Sequence, residues 1–295
     1  MATSQKRASF GGKTEFLASA EKTPLGYYFA LLTIFLVGGI YALVEFGGIV
    51  PEKSLLLISI SDALLIVGTV LFLLTSLFGY IKARNLRIQD AMFGFSMASF
   101  SFCIAGVVWA WYNLIQQVRA PFPSMADVFF LIGSLATIAA IYSATRAVSE
   151  TTGLKVELNV IIIVLAVVAT AAIVGTYASF TDILSGGMTP KAMISIAYPA
   201  LDIICLAMVC NLIILSSGRS VFESQLVIAA GTVILSISHI YFSVMASIGY
   251  SRYEPLAITL YAVAFMLFAI GISRYVDLTK YDIVMDRVAK LNRRQ

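Results

Sequence analysis

Eight blocks of roughly twenty mostly apolar residues, each bounded by a short polar turn, constrain this chain more than any other feature. A helix of that length crosses the hydrocarbon core. Inside lipid each backbone N–H and C=O must be satisfied within the protein, and a helix does this within its own segment. Composition agrees. Residues of the set AVILMFWYC make up 60% of the chain and DEKR only 12%, about half the charge of a soluble domain. The expectation is an all-α integral membrane protein with eight transmembrane helices in four hairpins. The spans fall near residues 25–46, 55–81, 91–114, 124–145, 158–180, 192–216, 225–248 and 255–272.

Charge placement orients the spans. With the N-terminus in the cytoplasm, the inner segments hold sixteen of the twenty Lys and Arg residues, the other four being Lys53, Arg119, Lys191 and Arg252. Basic residues collect on the cytoplasmic side of membrane proteins, so this asymmetry predicts cytoplasmic N- and C-termini and an even number of spans. Three regions follow. Residues 1–24 form a cytoplasmic arm carrying Lys6, Arg7, Lys13 and Lys22, without the apolar core of a signal peptide. Residues 25–274 form the membrane domain, and residues 275–295 an amphipathic cytoplasmic tail.

Each descending helix has an acid near its outer end and a base near its inner end: Asp62 with Lys82, Asp127 with Arg146, Asp202 with Arg219, and Glu254 with Arg274. Their spacing corresponds to about 25–30 Å of helix, close to the hydrocarbon thickness. An acid at a helix N-terminus and a base at its C-terminus complement the helix dipole, which explains much of the pattern without invoking function. Ser124 and Asp127 have capping-box spacing, with Asp in place of the usual Glu. Asp202 is different. It follows Pro199 within a long apolar run, where an ionisable group should face the bundle and find a partner. Asp62 lies seven residues into its own run and is of the same kind.

His239 is the only histidine. Measured up the seventh span from Gln225 it lies about 21 Å in, near the level of Asp202. Thr232, Ser236, Phe242 and Ser243 share its helical face. One reading is a core histidine bonded to a hydroxyl or carbonyl. The other is an outer-leaflet ligand pocket built from Asp62, Asp127, Asp202 and His239 and roofed by Trp109, Trp111, Tyr112, Tyr177, Tyr198 and Tyr241. Aromatics at that depth also occur as the interfacial belt of any membrane protein.

Several classes lack their signatures. No lysine sits mid-span to form a retinal Schiff base, and no second histidine exists for haem or metal ligation. H-E-x-x-H, P-loop and G-x-S-x-G motifs are absent. Basic residues flank spans and form no patch suited to nucleic acid. Cys103, Cys205 and Cys210 all lie in apolar blocks and read as small hydrophobes. The expectation is therefore no enzyme, no cofactor and no metal. In the tail, Tyr281, Val284, Val288 and Leu291 have 3-4-3 spacing. That suits either a stub of signalling helix or a surface helix anchored on anionic lipid by Arg293 and Arg294. Gly38 with Gly39 and Gly186 with Gly187 are compatible with close packing or turns.

The run from Val107, V-V-W-A-W-Y-N-L-I, is followed by P-F-P-S-M-A-D-V-F-F-L from Pro121. Together they resemble the multispan N-terminal region of bacterial diguanylate cyclases and related prokaryotic sensor proteins. A-Y-P-A-L-D, from Ala197 to Asp202, and the helices around Ser236 to Tyr261 are similar to that family too. Two departures stand out: His239 occupies a position where an acid is expected, and no GGDEF run or kinase sequence follows the last span. The resemblance implies a stand-alone sensory module in the plasma membrane. It would bind a small or lipidic ligand and signal through a separate partner that docks on residues 275–295, with homo-oligomerisation open. Two alternatives remain from other classes. One is a small-solute or ion transporter, because Pro199 beside Asp202 suits the broken helices of such proteins. The other is a non-catalytic subunit of a larger membrane complex.

Overall fold

The computed structural model describes residues 55–83, 85–118, 120–152, 189–217, 221–248 and 254–292. Every regular element among them is helical: α1 (Leu55–Lys82), α2 (Leu86–Ala110, prolonged by a π turn over Trp111–Ile115), α3 (Met125–Thr152), α4 (Pro190–Ser216), α5 (Phe222–Ile248) and α6 (Glu254–Asn292). All six are long and apolar enough to cross a membrane, which makes this a multi-pass membrane architecture. They correspond to the predicted second, third, fourth, sixth, seventh and eighth spans. The predicted first and fifth spans lie outside the described residues, as do Gly38, Gly39, Gly186, Gly187, Tyr177 and Arg219.

The helix faces are sorted as a bilayer demands. On α1 the exposed stripe is Val67, Leu71, Leu74, Phe78 and Ile81. The opposite, buried stripe mixes Leu57, Leu65 and Phe72 with Ser61, Asp62, Thr69 and Ser76. Polar atoms point inward and bulky apolar ones outward, the arrangement that lipid favours and water penalises. Buried hydroxyls bond back to their own helix, as Ser76 Oγ does to the Phe72 carbonyl at 2.8 Å. That hydroxyl also lies 3.2 Å from Ser99 Oγ across the α1–α2 interface.

Each helix packs on its chain neighbours, and α6 closes on α1, so the six form a ring. Pairs α1–α2, α2–α3, α4–α5 and α5–α6 run antiparallel. Pairs α3–α4 and α1–α6 run parallel: Asp127 at the start of α3 bonds Tyr198 near the start of α4, and Phe72 stacks against Phe265 and Phe268 of α6. Small residues permit the closest approaches. A Cβ on Gly68 would stand 2.8 Å from the Ala262 carbonyl oxygen, and one on Gly94 2.9 Å from the Ala140 Cβ.

Aromatic side chains fill the ring, and several meet α6. Phe102 of α2 meets Phe265 at 4.6 Å, and Phe130 of α3 stacks on Tyr261 at 5.4 Å. In keeping with that position, 72% of the most apolar window of α6 is buried, against 39% for α1. Ion pairs gather at the other end from the acids. Arg87 and Arg146 both reach Glu150, and Arg274 pairs with Glu223. The bundle thus has an acid end, where α1, α3, α4 and α6 begin, and a basic end. Cys103, Cys205 and Cys210 are unpaired thiols.

The last helix runs further than the eighth-span estimate. Its apolar part ends near Val276, but the helix continues unbroken to Asn292. The helical continuation predicted for the tail is therefore present. The side chains of its 3-4-3 stripe lie outside the described residues.

Candidate polar site at the acid end of the bundle

Asp202 and His239 form the centre of the site. The fourth turn of α4 carries Asp202 inward, and α5, running back beside it, brings His239 to the same level. His239 Nδ1 lies 2.9 Å and 3.0 Å from the two carboxylate oxygens. A carboxylate only accepts, so Nδ1 carries the proton and donates to it. The side chains are 1% and 7% exposed, so neither partner has water as a substitute. Pro199 lies one turn above Asp202 inside α4. Lacking an N–H, it leaves the Ser195 carbonyl without its helical donor.

Two tyrosines hold the imidazole. Tyr198 of α4 stacks on it at 4.6 Å and 25°, and Tyr261 of α6 meets it edge-on at 5.2 Å and 61°. The Tyr198 hydroxyl donates to Asp127 Oδ1 at 3.0 Å. The other oxygen of Asp127 accepts from the Ser124 backbone N–H at 2.6 Å and lies 3.0 Å from Ser124 Oγ. Ser124 Oγ in turn accepts from the Ala126 N–H at 3.2 Å. The capping-box reading of Ser124 and Asp127 therefore holds, and the same carboxylate also clasps α4. One polar chain runs Ser124, Asp127, Tyr198 on α3 and α4. Through the Tyr198 ring it touches the His239–Asp202 pair.

Beside this chain is a small cavity lined by Asp127, Tyr198, Tyr261, Trp109, Phe130 and Phe242, with Leu65 and Ile258 closing it. Its free volume is that of about one water molecule. A larger ligand requires these rings to repack or slide apart. Two polar atoms close by, Trp109 Nε1 and His239 Nε2, are buried without a hydrogen-bond partner among the described residues.

The predicted pocket residues therefore divide. Asp127, Asp202, His239, Tyr198 and Trp109 come together. Asp62 does not join them. It bonds Asn113 Nδ2 at 3.1 Å and 3.3 Å, clasping α1 to the end of α2. Trp111 is 45% exposed and points away from the cavity, with Tyr112 edge-on against it at 5.0 Å. Thr232, Ser236 and Phe242 are buried on the His239 face as their spacing predicts. The side chains of Ser243 and Glu254 lie outside the described residues.

Two participants escaped sequence reasoning. Asn113 reaches Asp62 from the π turn at the end of α2, where the Gln116 N–H bonds back five residues to the Trp111 carbonyl. The widened turn rotates the side chains off a regular helical pattern. Tyr261 sits in an apolar span with no motif around it. The only sequence signal was that an aromatic lay near the level of His239. Among the described residues no group of three or more potential metal ligands occurs.

No known protein family, curated protein or solved structure matches the chain.

Proposed function

We propose that this chain is a membrane sensory module. A small or lipidic ligand acts on the Asp127–Tyr198–His239–Asp202 centre, and the resulting shift passes along α6 to a separate partner. The observation that carries this reading is the reach of α6. Tyr261 packs against the imidazole, and the same uninterrupted helix extends sixteen residues beyond Val276, about 24 Å at the helical rise. A displacement of His239 thus has a rigid lever to the basic end. The resemblance of residues 107–131 to sensory regions of prokaryotic cyclases supports the same class. The reading is non-enzymatic.

The accompanying topology is eight spans in the plasma membrane, acid end outside, both termini cytoplasmic. Its support is twofold. The basic residues cluster at one end of the bundle. Further, α3 finishes at the basic end whereas α4 begins at the acid end, so the segment joining them connects opposite ends. The eight-span reading assigns that crossing to its fifth span.

The test uses Asp127→Asn, Asp202→Asn and His239→Gln in the purified chain. Native mass spectrometry compares co-purifying adducts of lipid or metabolite size, and thermal unfolding in detergent measures stability. The reading expects the wild type to carry a bound species that at least Asp202→Asn and His239→Gln lose. Three variants that fold, hold the same adducts and melt like wild type would remove the pocket.

A further inference from the structure

Every described helix contributes a side chain to the cavity at the acid end: Leu65 of α1, Trp109 of α2, Asp127 of α3, Tyr198 of α4, Phe242 of α5 and Tyr261 of α6. With Phe130, five of the eight lining residues are aromatic, and one, Asp127, is an acid. No Lys, Arg or His lines it. The rings brace one another. Phe130 stacks on Tyr261 at 5.4 Å, and Trp109 stands edge-on to Phe242 at 5.2 Å. Ring faces and a carboxylate carry the same electrostatic sign, so the wall as a whole favours a positive charge.

Asp127 is 1% exposed and has no cationic partner among the described residues. That separates it from Asp202, which has His239. The start of α3 offsets only part of its charge. The Ser124 N–H donates to Oδ2, with Ser124 Oγ close by, and the Tyr198 hydroxyl donates to Oδ1. A carboxylate oxygen has two lone pairs, so Oδ1 keeps an acceptor position among the described residues. A second polar atom of the lining residues is also unmatched. Trp109 is 4% exposed, and its Nε1–H has no acceptor among the described residues. Buried polar groups take partners, and buried carboxylates take positive ones.

We infer that this cavity binds the ammonium head of a primary amine. Asp127 Oδ1 accepts from the ammonium N–H, and the surrounding rings attract its charge. Size sets the head group. The free volume is that of about one water molecule, which an ammonium group matches and a trimethylammonium group exceeds. Chemistry disfavours a bare metal cation. Hard divalent ions take about six or more oxygen ligands, and only Asp127, Tyr198 and Tyr261 bring side-chain oxygens to this wall. The same head occurs on free ethanolamine and on ethanolamine phospholipids. Both carry an oxygen near the nitrogen, an acceptor of the kind that the Trp109 N–H lacks. This names the ligand class of the proposed sensory centre and rests on that centre binding a ligand.

Two arms test it on the full chain. In detergent, binding of radiolabelled ethanolamine is measured against excess choline or sodium at equal ionic strength. In nanodiscs of equal phosphatidylethanolamine and phosphatidylcholine with the same acyl chains, native mass spectrometry reads which lipid stays bound. Ethanolamine binding that choline and sodium leave in place assigns a soluble amine. Retention of phosphatidylethanolamine over phosphatidylcholine assigns a lipid. Either result supports the ammonium site. Asp127→Asn should weaken whichever form binds by roughly thirtyfold or more, and Trp109→Leu by about tenfold. Ser76→Ala, at the α1–α2 interface, should leave binding unchanged. Trp109→Leu keeps the Asp127 hydrogen bonds, so it is informative even if the Asp127 variant folds poorly. No preference for the primary amine in either arm overturns the inference, and so does either variant, folded by circular dichroism, binding like wild type. Adducts of other chemistry without amine preference would sink the ammonium assignment and leave the sensory centre standing. Amine binding that leaves hydrogen–deuterium exchange over residues 277–292 unchanged would support the ammonium site and count against the sensory reading.

Discussion

Replacing His239 by Phe isolates one bond at the centre of the site. The phenyl ring keeps a flat face for Tyr198 at 4.6 Å and an edge partner for Tyr261 at 5.2 Å. It removes the nitrogen that stands within 3.0 Å of both Asp202 oxygens. Two magnitudes compete. A neutral side-chain bond between membrane helices contributes about 0.6 kcal/mol on average and seldom more than about 1.7. A buried charged group stripped of its partner costs about 3–5 kcal/mol. Asp202 is 7% exposed on its side chain and has no water-facing escape, so the second applies. The single variant should lose about 3–5 kcal/mol of stability. Asp202→Leu combined with His239→Phe should recover about 2–3 kcal/mol of the summed single losses. Unfolding in mixed micelles by titration with dodecyl sulfate measures this. Trp109, packed on Phe242 three residues from His239, supplies the fluorescence signal. A single-variant loss under about 1 kcal/mol with no coupling would refute a desolvated, charge-assisted pair.

Tyr198→Phe removes the hydroxyl that joins α4 to Asp127 but keeps the stack on His239. It should cost about 1.5–3 kcal/mol in the same unfolding assay, as a bond to a charged group does. Asn113→Ala removes the amide that bonds Asp62 at the α1–α2 clasp and should cost about 1–3 kcal/mol while leaving adduct binding at the His239 centre unchanged. Gly68→Leu drives a side chain into the Ala262 backbone, where even a Cβ stands 2.8 Å from oxygen. Separation of α1 from α6 should lower the yield of monodisperse protein on size exclusion, with a stability loss of about 3 kcal/mol. By contrast, Glu223→Gln breaks an ion pair whose acid is 66% exposed and should change stability by less than about 1 kcal/mol.

Helix positions were legible because length and apolarity decide them in a membrane. The six described helices fall within a few residues of the spans drawn from hydropathy, apart from local extensions with visible causes. α2 starts at Leu86, ahead of the estimate at residue 91, because Asn85 caps it by accepting from the Arg87 N–H at 2.9 Å. α3 runs past Arg146 to Thr152, and Glu150 on that added turn is held by Arg87 and Arg146. The Asp202–His239 pair was legible too, since counting helical rise from opposite ends of one hairpin brings both to one level.

What pairwise height does not encode is azimuth across non-adjacent elements. Asp127 looked sufficiently explained by its own helix start, yet it also bonds Tyr198 on a helix more than seventy residues away in the chain. Trp111 and Trp109 are two residues apart and were grouped together, but two residues is about 200° of helix. One faces the cavity and the other faces out. The π turn then moved Asn113 onto Asp62, a rotation that a regular 3.6-residue period cannot supply.

The link from the polar centre to the far end of α6 is tested most directly by hydrogen–deuterium exchange across residues 277–292, comparing wild type with His239→Phe in the same detergent. If the imidazole and Tyr261 set the position of α6, exchange over 277–292 rises in the variant together with exchange in α5 around residue 239. Raised exchange confined to α5, with 277–292 unchanged, would contradict a site that communicates through α6.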